Sequence, residues 1–185
     1  MIFIFDLDDT LINTKKIKKE IKKIFYQDDK FDYYYQKFLK KEKLFNFLNF
    51  LSFLKTEKVI EEKNIKKLQK QHKDFLKNTS LISQETKNKI KNIGKNHDLI
   101  LLTLGEKKYQ REKIKSQKLD SYFKKIVITK EKKENSLNFL QNKKDTTYFI
   151  NDKKAENKII KKKFPHFHII HIKNEKDLEK FLCKF

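Results

Sequence analysis

The chain has 185 residues, enough for one domain with an insertion, and a formal net charge of +21. A polyanion partner would explain that charge, but Arg111 is the only arginine among the 46 basic residues. Surfaces that read nucleic acids depend on arginine for paired contacts with phosphates and bases. The abundance of lysine, with only 2 glycines and 1 proline, is instead typical of A/T-rich codon usage. We therefore do not expect nucleic acid as the partner.

The single cysteine excludes an internal disulfide and fits a reducing compartment, so we expect a cytoplasmic protein. The most apolar stretch, residues 44–54, is shorter than the ~20 residues that a transmembrane helix requires. We expect no membrane span, and either a monomer or a homodimer.

The first predicted element is a short strand, Ile2 to Phe5, whose unbroken apolar run is typical of a strand buried on both faces. Asp6, Asp8 and Asp9 follow at its carboxyl end. Crowded carboxylates repel one another and lose hydration, so they are stable where a cation offsets their charge. Ligands of parallel sheets bind at the carboxyl ends of the strands. The opening residues therefore predict a metal site.

A long helical block follows, because apolar residues recur at helical spacing from residue 14 to about residue 80. We predict a helix over residues 44–54, with Asn46, Asn49 and Ser52 as a narrow polar stripe on an otherwise apolar surface. We interpret it as the central helix of a helical subdomain or as part of a dimer face. Lysines at both ends leave insertion into a membrane surface as an alternative.

From residue 83 onward, helices and strands alternate, which predicts a parallel sheet with right-handed crossovers. The fold class is α/β, with a Rossmann-like three-layer core and a mostly parallel five-stranded sheet. Residues 1–13 and 81–185 form the predicted core domain, and residues 14–80 form an inserted helical domain. The remaining strands are predicted at residues 98–104, 126–128, 147–150 and 167–172.

Polar residues follow these later strands as well, so the topology would bring them to the same edge as Asp6. The second strand ends with a hydroxyl-bearing residue and a glycine, and a lysine-rich run follows the third strand. A carboxylate ends the fourth strand, and a second carboxylate lies one helical turn further along the chain. In chain order they are Thr103, Gly105, Lys130, Lys132, Lys133, Asp152 and Glu156.

This series resembles the haloacid dehalogenase superfamily of aspartate-nucleophile phosphohydrolases. The Asp-x-Asp-x-Thr-Leu motif of residues 6–11 is its most specific part, and Thr103, the lysine and Asp152 support it by their order. The resemblance covers residues 1–13 and about 95–172. It implies that the helical block is a cap of the family's first type.

The resemblance also implies a role for each residue. Asp6 would attack phosphorus, and Asp8 would protonate the leaving group and then activate water. Mg²⁺ would be held by oxygen ligands, which that ion prefers. The expected metal residues are Asp6, Asp8 (through its carbonyl), Asp152 and Glu156. The expected phosphate-binding residues are Thr103, Gly105 and a lysine, for which Lys133 is our choice, followed by Lys132 and then Lys130.

Two residues depart from the family pattern. Asn151 stands where glycine or aspartate is usual, and Glu156 where aspartate is frequent. We nevertheless expect a Mg²⁺-dependent phosphomonoester hydrolase acting on a small phosphorylated metabolite, such as a sugar phosphate or nucleotide. Transfer of the phosphoryl group to another acceptor stays open. The alternatives are a catalytically weak scaffold protein and a nucleic-acid end-processing phosphatase.

Overall fold

The computed structural model describes residues 1–24 and 28–185, so residues 25–27 of the predicted helical block lie outside it. Strands and helices follow one another in the order expected from the alternating sequence pattern. The strands are β1 (Ile2–Phe5), β2 (Asp98–Leu104), β3 (Lys125–Thr129), β4 (Thr147–Asn151) and β5 (His168–His171). The helices are α1 (Thr14–Ile24), α2 (Asp28–Glu42), α3 (Phe47–Thr56), α4 (Glu62–Asn78), α5 (Gln84–Ile93), α6 (Lys107–Ser116), α7 (Lys154–Lys163) and α8 (Glu175–Leu182), with 3-10 helices at Asp120–Tyr122 and Lys133–Leu140.

The five strands form one parallel sheet in the order β3-β2-β1-β4-β5, which confirms the predicted fold class. Strand β1 is central, with Phe5 in register with Leu101 on one side and Ile150 on the other. The residue after β1 therefore lies between the carboxyl ends of β2 and β4. This position is the switch point at which open α/β sheets bind their ligands.

Alternate residues of β1 enter different cores, because side chains of a strand point to opposite faces. Phe3 and Phe5 pack in the larger core, with apolar residues of α5, α6 and α8. Ile2 and Ile4 pack in a smaller core, with residues of α7 and of the 3-10 helix at residues 133–140. The sheet is thus covered on both faces, as the three-layer prediction requires.

Helices α1 to α4 lie in the chain between β1 and α5, where the helical block is predicted. Their apolar side chains pack in the larger core, the same cluster that contains Phe3 and Phe5. Direct contacts join this block to α6. The ring of Phe45, between α2 and α3, lies 5.5 Å from that of Tyr109, and Tyr109 Oη lies 3.2 Å from Nε2 of His72 on α4. Their assignment to a separate cap domain stays a prediction.

The helix predicted over residues 44–54 begins later, at Phe47. Asn46 precedes it with extended backbone angles, and its side-chain oxygen accepts hydrogen bonds from the N–H groups of Leu48 and Asn49 at 2.8 and 3.1 Å. The prediction of a polar stripe was wrong at Asn46, because this residue is a buried N-cap. Asn49 is exposed, as a polar position on the helix should be.

Within the described part of the chain, no helix combines the length and the apolar character needed to cross a bilayer.

Replacing Asn46 with alanine should lower the free energy of unfolding by about 1–2 kcal/mol, because α3 loses its cap. The Nδ2 group of Asn46 also donates to the Glu106 carboxylate at 2.8 Å, so the substitution removes a bond between the starts of α3 and α6. Urea unfolding of Asn46→Ala and of the exposed control Asn49→Ala measures the difference. Equal stability of the two variants would contradict the capping role.

Candidate active site

The carboxyl ends of β1, β2 and β4 bring Asp6, Thr103 and Asn151 to one edge of the sheet, and all three are fully buried. The Asp6 N–H donates to the Ile150 carbonyl at 2.9 Å, so the aspartate is held in line with the strand. Asp8 and Asp152 are half-buried beside it. The structure thus assembles the centre of the predicted site.

Lys133 supplies the positive charge at Asp6. Its Nζ lies 2.7 Å from Asp6 Oδ1, 2.8 Å from Glu156 Oε2 and 3.3 Å from Asn151 Oδ1. These contacts use all three donors of the ammonium group. Lys133 is the first residue of the 3-10 helix after β3, and it is buried with Asp6, each side chain being 2% exposed. Of the three candidate lysines, it is the one at the site.

Asp6 is difficult to ionise in this setting. Burial raises its pKa from 3.8 to about 7, Lys133 opposes the rise, and the nearby carboxylates Asp8 and Asp152 add to it. A nucleophilic carboxylate must be ionised, so a further positive charge would favour the reactive form.

Two carboxylate oxygens are available for such a cation. Asp6 Oδ2 and Asp152 Oδ1 are both buried, and no described residue donates a hydrogen bond to either. Burial also raises the pKa of Asp152, which shows that its charge is poorly compensated. Its backbone N–H donates to Thr10 Oγ1 at 3.0 Å, which fixes Asp152 against the loop after β1. Two unpartnered carboxylate oxygens fit Mg²⁺, which binds few protein carboxylates and retains waters.

The other predicted metal residues have different partners. Glu156 bonds Lys133 instead, and Lys133 and Lys153 hold its pKa below the ordinary value despite burial. The Asp8 side chain bonds residues of α6. Across residues 1–24 and 28–185, no three histidine, cysteine or acidic side chains are grouped closely enough to hold a metal. The three expected carboxyl groups, those of Asp6, Asp152 and Glu156, therefore do not form one cluster.

Asp8 is held by two residues that the sequence analysis missed. Lys113 Nζ lies 2.5 Å from Asp8 Oδ1, and Gln110 Nε2 donates to Asp8 Oδ2 at 2.8 Å. Burial opposes ionisation of Asp8, but Lys113 and the Gln110 amide outweigh it and hold the pKa of Asp8 below 3.8. The i, i+3 spacing of the two donors on α6 was the one available signal, and it is uninformative in so lysine-rich a chain.

Gln110 also joins Asp8 to Thr103. Its Nε2 lies 3.0 Å from Thr103 Oγ1 and 2.9 Å from the Leu104 carbonyl, so the two amide hydrogens are shared among these two oxygens and Asp8 Oδ2. Gly105 makes room for this amide, since a Cβ at that position would lie 2.7 Å from Gln110 Cγ. The Gly105 N–H donates to the Thr129 carbonyl at 2.9 Å. Gly105 therefore provides space here, while its N–H is already bonded.

The two remaining candidate lysines, Lys130 and Lys132, are exposed. The first choice, Lys133, is thus the buried one of the three, and its phosphate-binding role stays a prediction.

A cavity of about 290 Å³ opens beside Asp8, between the sheet edge and helices α1 and α2. Apolar and aromatic side chains form much of its wall, and lysines line the rest. The apolar and aromatic residues include Ile17, Ile21, Tyr35, Leu44, Phe45 and Tyr109, and the lysines are Lys18, Lys43, Lys113 and Lys153.

No protein-family model matches the sequence, and no curated protein matches it. Solved structures do match over nearly the whole chain. A protein from Burkholderia xenovorans, described as a haloacid dehalogenase-like hydrolase, has a TM-score of 0.73 at 15% identity, covering 97% of both chains. This chain has the haloacid dehalogenase-like fold.

Two further structures with this fold are similar over the same extent. The HAD-hydrolase YfnB from Bacillus subtilis, bound to magnesium, has a TM-score of 0.61 at 15% identity and covers 98% of this chain and 97% of its own. A protein described as a β-phosphoglucomutase from Thermotoga maritima has a TM-score of 0.60 at 15% identity, covering 97% of both chains.

Magnesium should raise the melting temperature of the wild type by several degrees at pH 8, because a bound cation stabilises the folded state. Asp152→Asn should remove most of that increase, since it withdraws one of the two unpartnered carboxylates. The exposed Asp9→Asn is the matched control and should respond like the wild type. Thermal melts with and without Mg²⁺ measure the effect, and an unchanged response in Asp152→Asn would exclude Asp152 as a ligand.

Without metal, the raised pKa of Asp6 should cost stability as the pH rises. The folded state retains a proton on Asp6 up to about pH 7, whereas the unfolded state loses it near 3.8, so stability falls across this interval. Relative to Asp6→Asn, which has no such proton, the wild type should lose about 4 kcal/mol between pH 4 and pH 8. Urea unfolding at both pH values, in EDTA, tests this; a constant difference between the two proteins would contradict it.

Proposed function

We propose that this chain is a Mg²⁺-dependent phosphomonoester hydrolase that acts through a phosphorylated Asp6. The observation that carries the proposal is the difference in surroundings between Asp6 and Asp8. Asp6 is buried, with one oxygen on Lys133 and the other without a partner, while Asp8 is held by Lys113 and Gln110 at the cavity. These different surroundings support Asp6 as the attacking group and Asp8 as the proton-transfer group.

In the first step, a carboxylate oxygen of Asp6 attacks phosphorus and the ester P–O bond breaks. Asp8 must carry a proton when the ester bond breaks, although Lys113 and Gln110 favour its ionised form, and it gives that proton to the leaving oxygen. In the second step the Asp8 carboxylate takes a proton from the attacking water. Lys133 restricts the orientation of the Asp6 carboxylate through its contact with Oδ1. Phosphoryl transfer depends chiefly on such positioning and on charge neutralisation.

Thr103 is suited to bind a phosphoryl oxygen. Gln110 donates into its Oγ1, so the hydroxyl acts as the acceptor in that bond and keeps its own proton for a further partner. The residue is buried at the same edge as Asp6, which is where a phosphoryl group in line for attack would lie.

Mg²⁺ would be held by Asp6 and Asp152, and when bound it supplies positive charge for the nucleophile and for the phosphoryl oxygens. A Bacillus subtilis protein with the same fold is described as bound to magnesium, which supports Mg²⁺ as the cation. Asp6 and Asp152 of this chain also have free buried oxygens to offer.

Hydrolysis of a phosphate ester fits the site better than cleavage of a carbon–halogen bond. Relatives that act on carbon–halogen bonds lack an acid at the Asp8 position, whereas here Asp8 is present and is bonded on both oxygens. The cavity volume of about 290 Å³ favours a small phosphorylated metabolite as the substrate.

Purified protein with Mg²⁺ should release phosphate from p-nitrophenyl phosphate. Asp6→Asn should lower kcat by a factor on the order of 10³ or more, because an amide is a poor nucleophile. Asp9→Asn is the matched control, since its side-chain oxygen can still accept from the Thr14 N–H, and it should retain activity. A steady-state phosphate assay measures all three proteins.

If folded, Mg²⁺-responsive wild type were inactive on a panel of phosphomonoesters, the proposal would be wrong and a binding or scaffold role would be favoured. Equal activity of wild type and Asp6→Asn would show that a contaminating phosphatase is being measured.

A further inference from the structure

Two lysines stand apart in a chain that is otherwise covered with solvated lysine. Among the described residues, the buried lysines are Lys113 and Lys133. Composition explains exposed lysines but not buried ones, because removing an ammonium group from water costs several kcal/mol unless it is paired. Each of the two pairs with one of the two aspartates of the motif: Lys133 with Asp6, and Lys113 with Asp8.

Lys113 and Gln110 bond different oxygens of Asp8. Lys113 takes Oδ1 and Gln110 takes Oδ2, so rotation about both side-chain bonds of the aspartate is restricted. The orientation of the Gln110 amide is itself determined, because Nε2 faces an ionised carboxylate and the Leu104 carbonyl, which can only accept. Asp8 would otherwise be a half-exposed side chain on a loop at the cavity.

This arrangement has a cost in folding free energy, so stability alone does not account for it. Gln110 Oε1 is buried and has no hydrogen-bond donor among the described residues. An unsatisfied buried acceptor costs about 1–3 kcal/mol. Apolar residues at positions 110 and 113 would avoid this cost and the burial of the ammonium group. Local choices that oppose stability are expected at functional sites.

Helix α6 is anchored well enough to serve as the support. The Glu106 side chain caps its first turn by accepting from the Tyr109 N–H at 3.0 Å. The Tyr109 hydroxyl lies 3.2 Å from Nε2 of His72 on α4, and the Ile114 side chain is buried in the larger core. The two donors thus project from a helix fixed on several sides.

We propose that Lys113 and Gln110 are positioning residues that hold the Asp8 carboxylate at the leaving-group side of the site. This inference rests on the proposed function, and it adds two residues of α6 to the machinery of the reaction. Neither residue is required to touch the reacting atoms, since both act through Asp8. Gly105 contributes to the same arrangement, because any larger residue there would displace the Gln110 amide.

The test compares Lys113→Met with Lys115→Met, an exposed lysine two residues further along α6. Lys113→Met and Gln110→Met should each lower kcat 10- to 100-fold while KM changes less than about threefold, since positioning acts on the chemical step. Lys115→Met should behave like the wild type. Lys113→Arg, which keeps a cationic donor, should recover part of the loss.

The leaving group separates positioning from general damage to the fold. A p-nitrophenolate leaves readily without a proton, whereas an alkoxide needs one, so Lys113→Met should lose several-fold more activity on an alkyl phosphate than on p-nitrophenyl phosphate. An equal loss on both substrates would indicate a structural role and overturn the proposal.

A double-mutant cycle with Asp8→Asn gives the decisive comparison. If Lys113 acts through Asp8, then Lys113→Met should have little further effect on kcat once Asp8 has been replaced. Additive losses would overturn the proposal. An active wild type with Lys113→Met at full activity would overturn it while leaving the proposed function standing, whereas an inactive wild type would overturn both.

Discussion

The buried ion pair between Asp6 and Lys133 is the interaction on which the rest of the site depends. An aspartate at the end of a central strand cannot reach bulk water, and a lysine with all three donors occupied cannot move without breaking several bonds. The pair therefore restricts the orientation of the Asp6 carboxylate. It also ties β1 to the segment after β3 and, through Glu156, to α7. Removal of Lys133 would leave Asp6 in the core without its positive partner, whereas removal of Asp6 would leave Lys133 paired with Glu156.

Asp6 and Asp8 differ in how readily they ionise, although they are only two residues apart. Asp6 keeps a raised pKa because burial and neighbouring carboxylates outweigh Lys133, whereas Asp8 has a lowered pKa because Lys113 and Gln110 outweigh burial. Unlike environments for like groups are the usual means by which one site holds both a nucleophile and a proton-transfer group. A cation bound to the unpartnered oxygens of Asp6 and Asp152 would offset the remaining negative charge of the site.

The helices that follow β1 supply one wall of the cavity, while the sheet edge and α6 supply the opposite one. The contact between Phe45 and Tyr109, which both line the cavity, connects the two walls. The same helix α6 thus carries the support of Asp8 and part of the contact with the helical block. This position suits a reaction that requires water to be controlled around the proton-transfer step.

Much of the fold was predictable because its signals are local. Hydrophobic runs and strand-to-helix alternation identified the parallel sheet, and the Asp6–Asp8 spacing after a buried strand identified the edge where chemistry is expected. The start of α3 was misplaced because a capping residue and a polar position on a helix look alike until backbone angles are known. By itself, the sequence determined the architecture, the two aspartates and a short set of candidate lysines. Lys133 was the first choice among these lysines, but only the tertiary structure showed that it is buried against Asp6, and only the tertiary structure revealed Lys113 and Gln110. Burial distinguishes these residues from many chemically identical ones, and burial depends on contacts between distant parts of the chain.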